Sequence, residues 1–334
     1  MKVDLHKLIE LRHSLHAEPE LSNQESKTAR LIKEFMEVYQ PKRIIEQVGG
    51  HGLIAVFEGN LPGPGILIRA ELDALPIYET NDMPYRSRNH EVSHKCGHDG
   101  HMSMVAGLAP LLKDLPRGKV FLLFQPAEET GEGAKRVLED PRLKALNPSF
   151  VFALHNIPGR PLHQILLKEH TFNAASKGMI ITLDGITSHA AEPENGNSPA
   201  PALAWLMKEL PLLVEKKEAF KDFVLITLVH ALLGEIAFGT NPSHAELRLT
   251  LRAFEKDDMR RMTNWAVNKV MEVAELEKLR WKINWAEEFA PTLNDEESVG
   301  LVRKAAQDLK LDVVEMKQPL KWSEDFGYFT HKYP

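Results

Sequence analysis

Lys119-Val120-Phe121-Leu122-Leu123-Phe124-Gln125, followed by Phe150-Val151-Phe152-Ala153-Leu154-His155-Asn156, decides the fold class. Each segment opens as a short, unbroken apolar run and ends on polar residues, the pattern of a strand buried on both faces. Upstream, LIAVFEG (53–59) and GILIRAELD (65–73) repeat that character, separated by Asn60-Leu61-Pro62-Gly63-Pro64, a turn-rich break. Helical patterns lie near 4–16, 23–39 and 102–112. Ser22 is placed to cap the second, with Gln24 or Glu25 in its first turn. Continuous apolar strands alternating with helices predict an α/β unit, a mostly parallel sheet covered by helices on both faces.

After about residue 172 the pattern changes. GMIITLDG (178–185), VLITLVHA (224–231), ELRLTLRAF (246–254) and LRWKINWAEEF (279–289) alternate apolar with polar, and helical stretches near 199–215 and 256–275 lie between them. This order predicts a four-stranded antiparallel sheet with two helices on one side. From 289 onward the first pattern returns, with a helix near 295–309 and a strand at LDVVEM. The expected organisation is therefore a first domain over 1–172, an inserted α+β domain over 173–288, and the remainder of the first domain over 289–334. No internal repeat or low-complexity segment is present.

The chain has 334 residues, 43% of them apolar, enough for more than one core. A net charge of -6 with no basic stripe argues against nucleic-acid binding. The N-terminal stretch is amphipathic, and no apolar run is long enough for a signal peptide or a membrane span. The single cysteine, Cys96, excludes an intramolecular disulfide. A cytoplasmic protein is expected.

The densest chemical signal is His94-Lys95-Cys96-Gly97-His98-Asp99-Gly100-His101, where five of eight residues are able to bind metal and glycines let the backbone fold tightly. No second Cys/His pair completes a structural zinc site, so further ligands must come from elsewhere in the fold. Glu128 and Glu129 follow the strand KVFLLF directly. One is suited to ligate a metal while the other takes a proton from water, and a solvated acidic loop capping the next helix with Glu132 is the other reading. His155 ends the strand FVFALHN, and Asp73 ends GILIRAELD, as either a ligand-orienting carboxylate or a turn former. In the inserted domain His189, within SHAAEP, is a candidate oxyanion donor. Asn241 and Arg252 are candidates to hold a substrate carboxylate, and on local grounds alone all three read as surface or turn residues. No G-x-S-x-G, P-loop or G-x-G-x-x-G occurs.

Eight motifs in order, LRHSLHAEPELSNQES, IRAELDALPIYET, HKCGHDGHMSM, LLFQPAEETGEGA, ALHNIPGRPL, SHAAEPENG, LRLTLRAF and WSEDFGYF, resemble the aminoacylase and carboxypeptidase-type dinuclear metallohydrolase superfamily. They are most similar to its hippurate hydrolase and auxin-conjugate amidohydrolase branch, and they span nearly the whole chain. The resemblance implies a catalytic domain with two divalent metal ions (Zn, Mn, Ni or Co) and an inserted lid that mediates homodimer formation. It implies Cys96, His98, Glu129 and His155 as metal ligands, Glu128 as general base, Asp73 supporting the site from behind, and His189 reaching a partner subunit's active site. The implied reaction is metal-dependent hydrolysis of the amide bond of an N-acyl amino acid or related amide. Relatives continue beyond WSEDFGYF, and a histidine there supplies the last ligand. This sequence stops at Tyr333-Pro334, and His331 stands where the family pattern places no ligand. That departure raises an inactive or metal-poor homologue binding acyl-amino acids as an alternative, beside a metallopeptidase of the same fold.

Overall fold

Side-chain alternation along each strand turns those apolar runs into a sheet with two buried faces. The structure, a computed structural model, describes residues 3–334. In chain order its elements are α1 (Leu5–Ala17), α2 (Ser26–Glu37), β1 (Arg43–Val48), β2 (Gly52–Glu58), β3 (Leu61–Glu71), α3 (His98–Ala106), α4 (Ala109–Leu112), β4 (Arg117–Gln125), α5 (Gly133–Glu139), α6 (Pro141–Leu146), β5 (Phe150–Ala153), β6 (Ile165–Leu167) and β7 (His170–Asn173). There follow β8 (Ala175–Asp184), β9 (Ser188–His189), α7 (Ala200–Leu212), β10 (Val224–Leu233), β11 (Thr240–Asn241), β12 (His244–Ala253), α8 (Lys256–Leu276), β13 (Arg280–Phe289), β14 (Thr292–Asn294), α9 (Glu296–Asp308), β15 (Val313–Glu315) and α10 (Gly327–Thr330). They form two compact units. One runs to His170 and resumes over Thr292–Lys317 and Glu324–Pro334, and the other comprises Thr171–Pro291 with Gln318–Ser323.

The first unit holds a five-stranded sheet in the order β1-β2-β4-β3-β5. β3 runs parallel to β4 and β5, while β2 is antiparallel to both its neighbours, so β2 alone opposes the other strands. This is the mostly parallel α/β sheet that the apolar runs predict. On β4, Leu122 and Phe124 pack with Leu15, Ile32, Met36 and Met102 from the helices of one face. Phe121 and Leu123 pack with Val137, Leu143, Phe326 and Phe329 on the other. Both faces are dry, which is why the run shows no polar alternation.

The second unit is a four-stranded antiparallel sheet, β10-β12-β8-β13. Met179, Ile181 and Leu183 of β8, and Leu247, Leu249 and Leu251 of β12, turn inward against Leu206 and Leu210 of α7 and Met262 and Val270 of α8. Among the described residues no helix is long and apolar enough to cross a membrane.

Three local readings need correction. Ser22 does not cap α2, because its hydroxyl donates to Asp73 Oδ2 at 2.6 Å. The helix starts at Ser26, and Glu20 Oε2 receives the Lys27 and Thr28 N–H groups at 2.9 and 2.8 Å. A full carboxylate from the preceding turn serves those donors better than a hydroxyl. Residues 61–64 belong to β3 through a bulge, with pairing shifted between Leu61 and Gly65. The helix expected from 102 starts earlier, at His98, because Gly97 supplies its N-cap.

Candidate metal centre

Parallel strands bring their carboxyl ends to one edge of a sheet. β3 delivers Glu71 and Asp73 there, β4 delivers Gln125 and the turn holding Glu128 and Glu129, and β5 leads into His155. α3 begins at the same edge. Its N-cap Gly97 has φ +95°, and a Cβ there would lie 2.5 Å from Asn156 Oδ1, so only glycine serves. His98 and His101, one helical turn apart, share a face, and both are buried. Across the site Gly133 closes the β4 turn so tightly that a Cβ would meet the Pro126 carbonyl oxygen at 1.7 Å.

His98 is common to three groups of donor atoms, each group lying within 4.8 Å: with Cys96 and His155, with Glu128 and Glu129, and with Glu71 and His101. Its Nδ1 donates to the Asp73 carbonyl at 2.8 Å. A carbonyl only accepts, so this bond fixes the tautomer and leaves the Nε2 lone pair free. That Nε2 lies 3.8 Å from Glu128 Oε2 and 3.9 Å from Glu129 Oε1. Cys96 Sγ lies 3.4 Å from His155 Nε2. Asp73 Oδ2 accepts from the Glu129 N–H at 3.0 Å, so Asp73 holds both His98 and Glu129 from behind.

His98 Nε2, Glu129 Oε1 and Asp73 Oδ1 are buried without a hydrogen-bond partner. Buried lone pairs left bare are costly and rare. Burial and the charges of neighbouring carboxylates push Glu128 well above the usual carboxylate range, Glu129 up to about 8, and the Cys96 thiol upward. A bare imidazole nitrogen on His98, with carboxylate oxygens in one group and the Cys96 thiol and His155 in another, is a donor set that fits divalent cations. His331 is exposed at the end of α10 and belongs to none of the three groups.

A supporting network escaped the sequence reading. Arg69, wholly buried, pairs with Glu71 and Asp325 and lies 3.4 Å from Glu324. Glu71 accepts from His101 Nδ1 at 2.8 Å. Burial alone would raise its carboxyl, but Arg69 and His101 hold it well below the usual range. The Asp325 N–H donates to Glu128 Oε1 at 3.2 Å, which orients the carboxylate whose other oxygen faces His98. The signal was present: Arg69, Glu71 and Asp73 alternate on one face of an otherwise apolar strand.

His189, Asn241 and Arg252 lie in the second unit. β9 pairs with β11, setting His189 opposite Thr240, and Asn241 Nδ2 donates to Ser188 Oγ at 3.1 Å. His189 Nδ1 accepts from the Ala191 N–H at 3.1 Å, so its proton sits on Nε2. Arg252 donates to the Lys321 carbonyl and to Ser323 Oγ at 3.1 and 2.8 Å. Arg252 stands near the end of β12 remote from Asn241, roughly 25 Å away at strand rise. Within one chain the two do not grip the same small carboxylate.

Residues 67–334 match the family described as Peptidase family M20/M25/M40. The N-acetyl-L-cysteine deacetylase of Bacillus subtilis is 33% identical over 330 residues, covering 98% of this chain and 78% of that protein. The hippurate hydrolase of Campylobacter jejuni is 29% identical over 323 residues, 96% of this chain and 84% of the relative. A Bacillus subtilis protein solved as a dinuclear metal binding peptidase of the M20 family superposes with a TM-score of 0.80 at 29% identity, covering 98% of this chain and 86% of that one. Motifs, fold and matches agree, and this chain belongs to peptidase family M20/M25/M40.

Proposed function

We propose that this protein hydrolyses the amide bond of N-acyl amino acids or closely related amides. Cys96, His98, Glu129 and His155 hold divalent metal ions, and Glu128 is the general base. The observation that carries this reading is the trio of buried, unpartnered lone pairs on His98, Glu129 and Asp73 beside a protonatable Glu128. When bound, the metal ions polarise the amide carbonyl and acidify water. Two such ions per chain are expected, of zinc, manganese, nickel or cobalt, all of which accept mixed S, N and O donors.

Glu128 is held by the Asp325 N–H through Oε1 and turns Oε2 toward the donor cluster. It takes the proton from the attacking water and returns it to the leaving amine. His189, with its proton on Nε2, is a neutral donor suited to an oxyanion. Asn241 beside it and Arg252 at the far end of β12 are carboxylate-binding candidates.

A homodimer through the inserted domain unites these roles. Ile236 and Phe238 are fully exposed on the loop between β10 and β11, and Val229, Leu232 and Leu233 are exposed on β10, an edge strand. That apolar surface adjoins the β9–β11 pair that carries His189 and Asn241. In such a dimer one copy would offer His189 and Asn241 to a substrate bound by the other. The cytoplasm remains the expected compartment, where a reducing poise keeps the Cys96 thiol free.

The test is elemental mass spectrometry after dialysis against Mn²⁺ or Zn²⁺, followed by hydrolysis of a panel of N-acyl amino acids and unblocked dipeptides. About two metals per chain and a preference for acylated substrates are expected. Metal-loaded protein that leaves the acylated panel intact, or protein that retains no metal, overturns the reading.

A further inference from the structure

The segment Lys95–Asp99 carries Cys96 and His98, and both its ends are tied to one buried imidazole. Asp99 Oδ2 accepts from His16 Nδ1 at 3.0 Å and from Arg12 Nε at 3.1 Å. At the other end Lys95 Nζ donates to Glu79 Oε1 at 2.7 Å, and Glu79 Oε2 lies 3.1 Å from His16 Nε2. The Ser87 N–H fixes Glu79 further, at 2.9 Å. The side chains of His16, Glu79 and Asp99 are 7%, 2% and 1% exposed. Carboxylates accept and do not donate, so an imidazole set between two of them donates from both nitrogens and carries a charge. Charge-assisted bonds of this kind are directional and roughly twice as strong as neutral ones. Between the two anchored ends the backbone passes through Gly97, which by itself imposes little stiffness.

We propose that His16 is a positioning residue for the metal centre: through Asp99 and Glu79 it clamps both ends of the Lys95–Asp99 segment and so sets where Cys96 Sγ and His98 Nε2 stand. This rests on reading Cys96 and His98 as metal ligands. His16 touches neither of them and acts only through the segment's ends. His94, whose ring centre lies 6.3 Å from that of His16, has no hydrogen-bond partner on either nitrogen and takes no part in the clamp.

The clamp predicts a sign that charge alone does not. His16→Gln and Lys95→Met each remove positive charge beside a dication, so electrostatics alone tightens metal binding. Loss of the clamp weakens it. The measurement is Co²⁺ titration of the metal-free full chain, followed by the thiolate-to-Co²⁺ absorption of Cys96, with thermal unfolding of each metal-free protein alongside. Both variants are expected to bind Co²⁺ about tenfold or more weakly, with a displaced or diminished thiolate band. Leu143→Ala, in the core of the opposite sheet face, controls for stability loss and should keep the wild-type band. Lys95 is 27% exposed, so Lys95→Met folds and decides the matter if His16→Gln does not. Unchanged or tighter Co²⁺ binding with a wild-type band in the variants overturns the clamp. A wild type that binds Co²⁺ without any thiolate band overturns the ligand reading itself, a separate failure.

Discussion

At the scale of single residues, the centre gathers acidic groups whose burial favours their protonated forms. Glu128 is both the proposed base and the group whose removal leaves the donor set intact. Glu128→Gln is therefore expected to lower kcat by roughly 10²–10⁴-fold while metal content stays that of the wild type. Elemental analysis beside steady-state kinetics checks both halves, and a parallel loss of metal would make Glu128 a ligand instead. The upward shifts of Glu128 and Glu129 also set a sign for pH. A carboxyl whose folded pKa is raised stays protonated in the fold while the unfolded chain has released its proton. The contribution of these two carboxyls to the stability of the metal-free protein therefore falls as pH rises from the ordinary carboxylate range near 4 toward about 8, opposed below about 6.5 by buried His94 and His98, whose pKa values are lowered. Saturating metal should flatten that slope, because the cation stabilises the ionised donors and binding releases protons. Scanning calorimetry of metal-free and metal-loaded protein across this range reads the difference, and a metal-free midpoint that climbs between about pH 6.5 and 8 would contradict it.

At the scale of elements, the site depends on where strands end and how tightly the chain leaves them. The β4 turn tolerates no side chain at Gly133, whose Cβ would enter the Pro126 carbonyl oxygen. Gly133→Ala is expected to destabilise the first unit by about 1–3 kcal/mol and to weaken metal binding by displacing Glu128 and Glu129. Urea unfolding with unchanged m-value, together with a metal titration, measures both, and wild-type values in the two would show that the turn relaxes freely. Strand identities were legible because a strand buried on both faces has to be apolar at every position. The cap of α2 was less so, since Asp73, distant in the chain, takes the Ser22 hydroxyl and leaves the first N–H groups to Glu20.

For the whole molecule, the decisive question is whether one chain makes a complete site. Phe238 is fully exposed, so Phe238→Glu removes no packing within the chain, and any fall in its unfolding midpoint reflects the lost association. It is expected to shift sedimentation from dimer to monomer and to cut hydrolysis of acylated substrates by at least tenfold. A monomeric wild type with full activity would remove the partner from the mechanism and return the oxyanion role to groups within one chain.

By itself the sequence determined the α/β class, the antiparallel insert and the family, because burial periodicity and ordered motifs are local properties of a chain. It also put forward Cys96, His98, Glu129 and His155 as candidate donors, since they stand at strand ends or in a glycine-rich turn. Only the tertiary structure decided the support around them. Arg69 meets Asp325 across 256 residues, and His16 meets Asp99 across 83. Alternation along β3 marks Arg69 as unusual, but separations of that kind leave no trace of which partner it meets. Such pairs exist because the carboxyl edge of one sheet and the start of α3 are buried together, where every charge must find its counter-charge in the fold rather than in water.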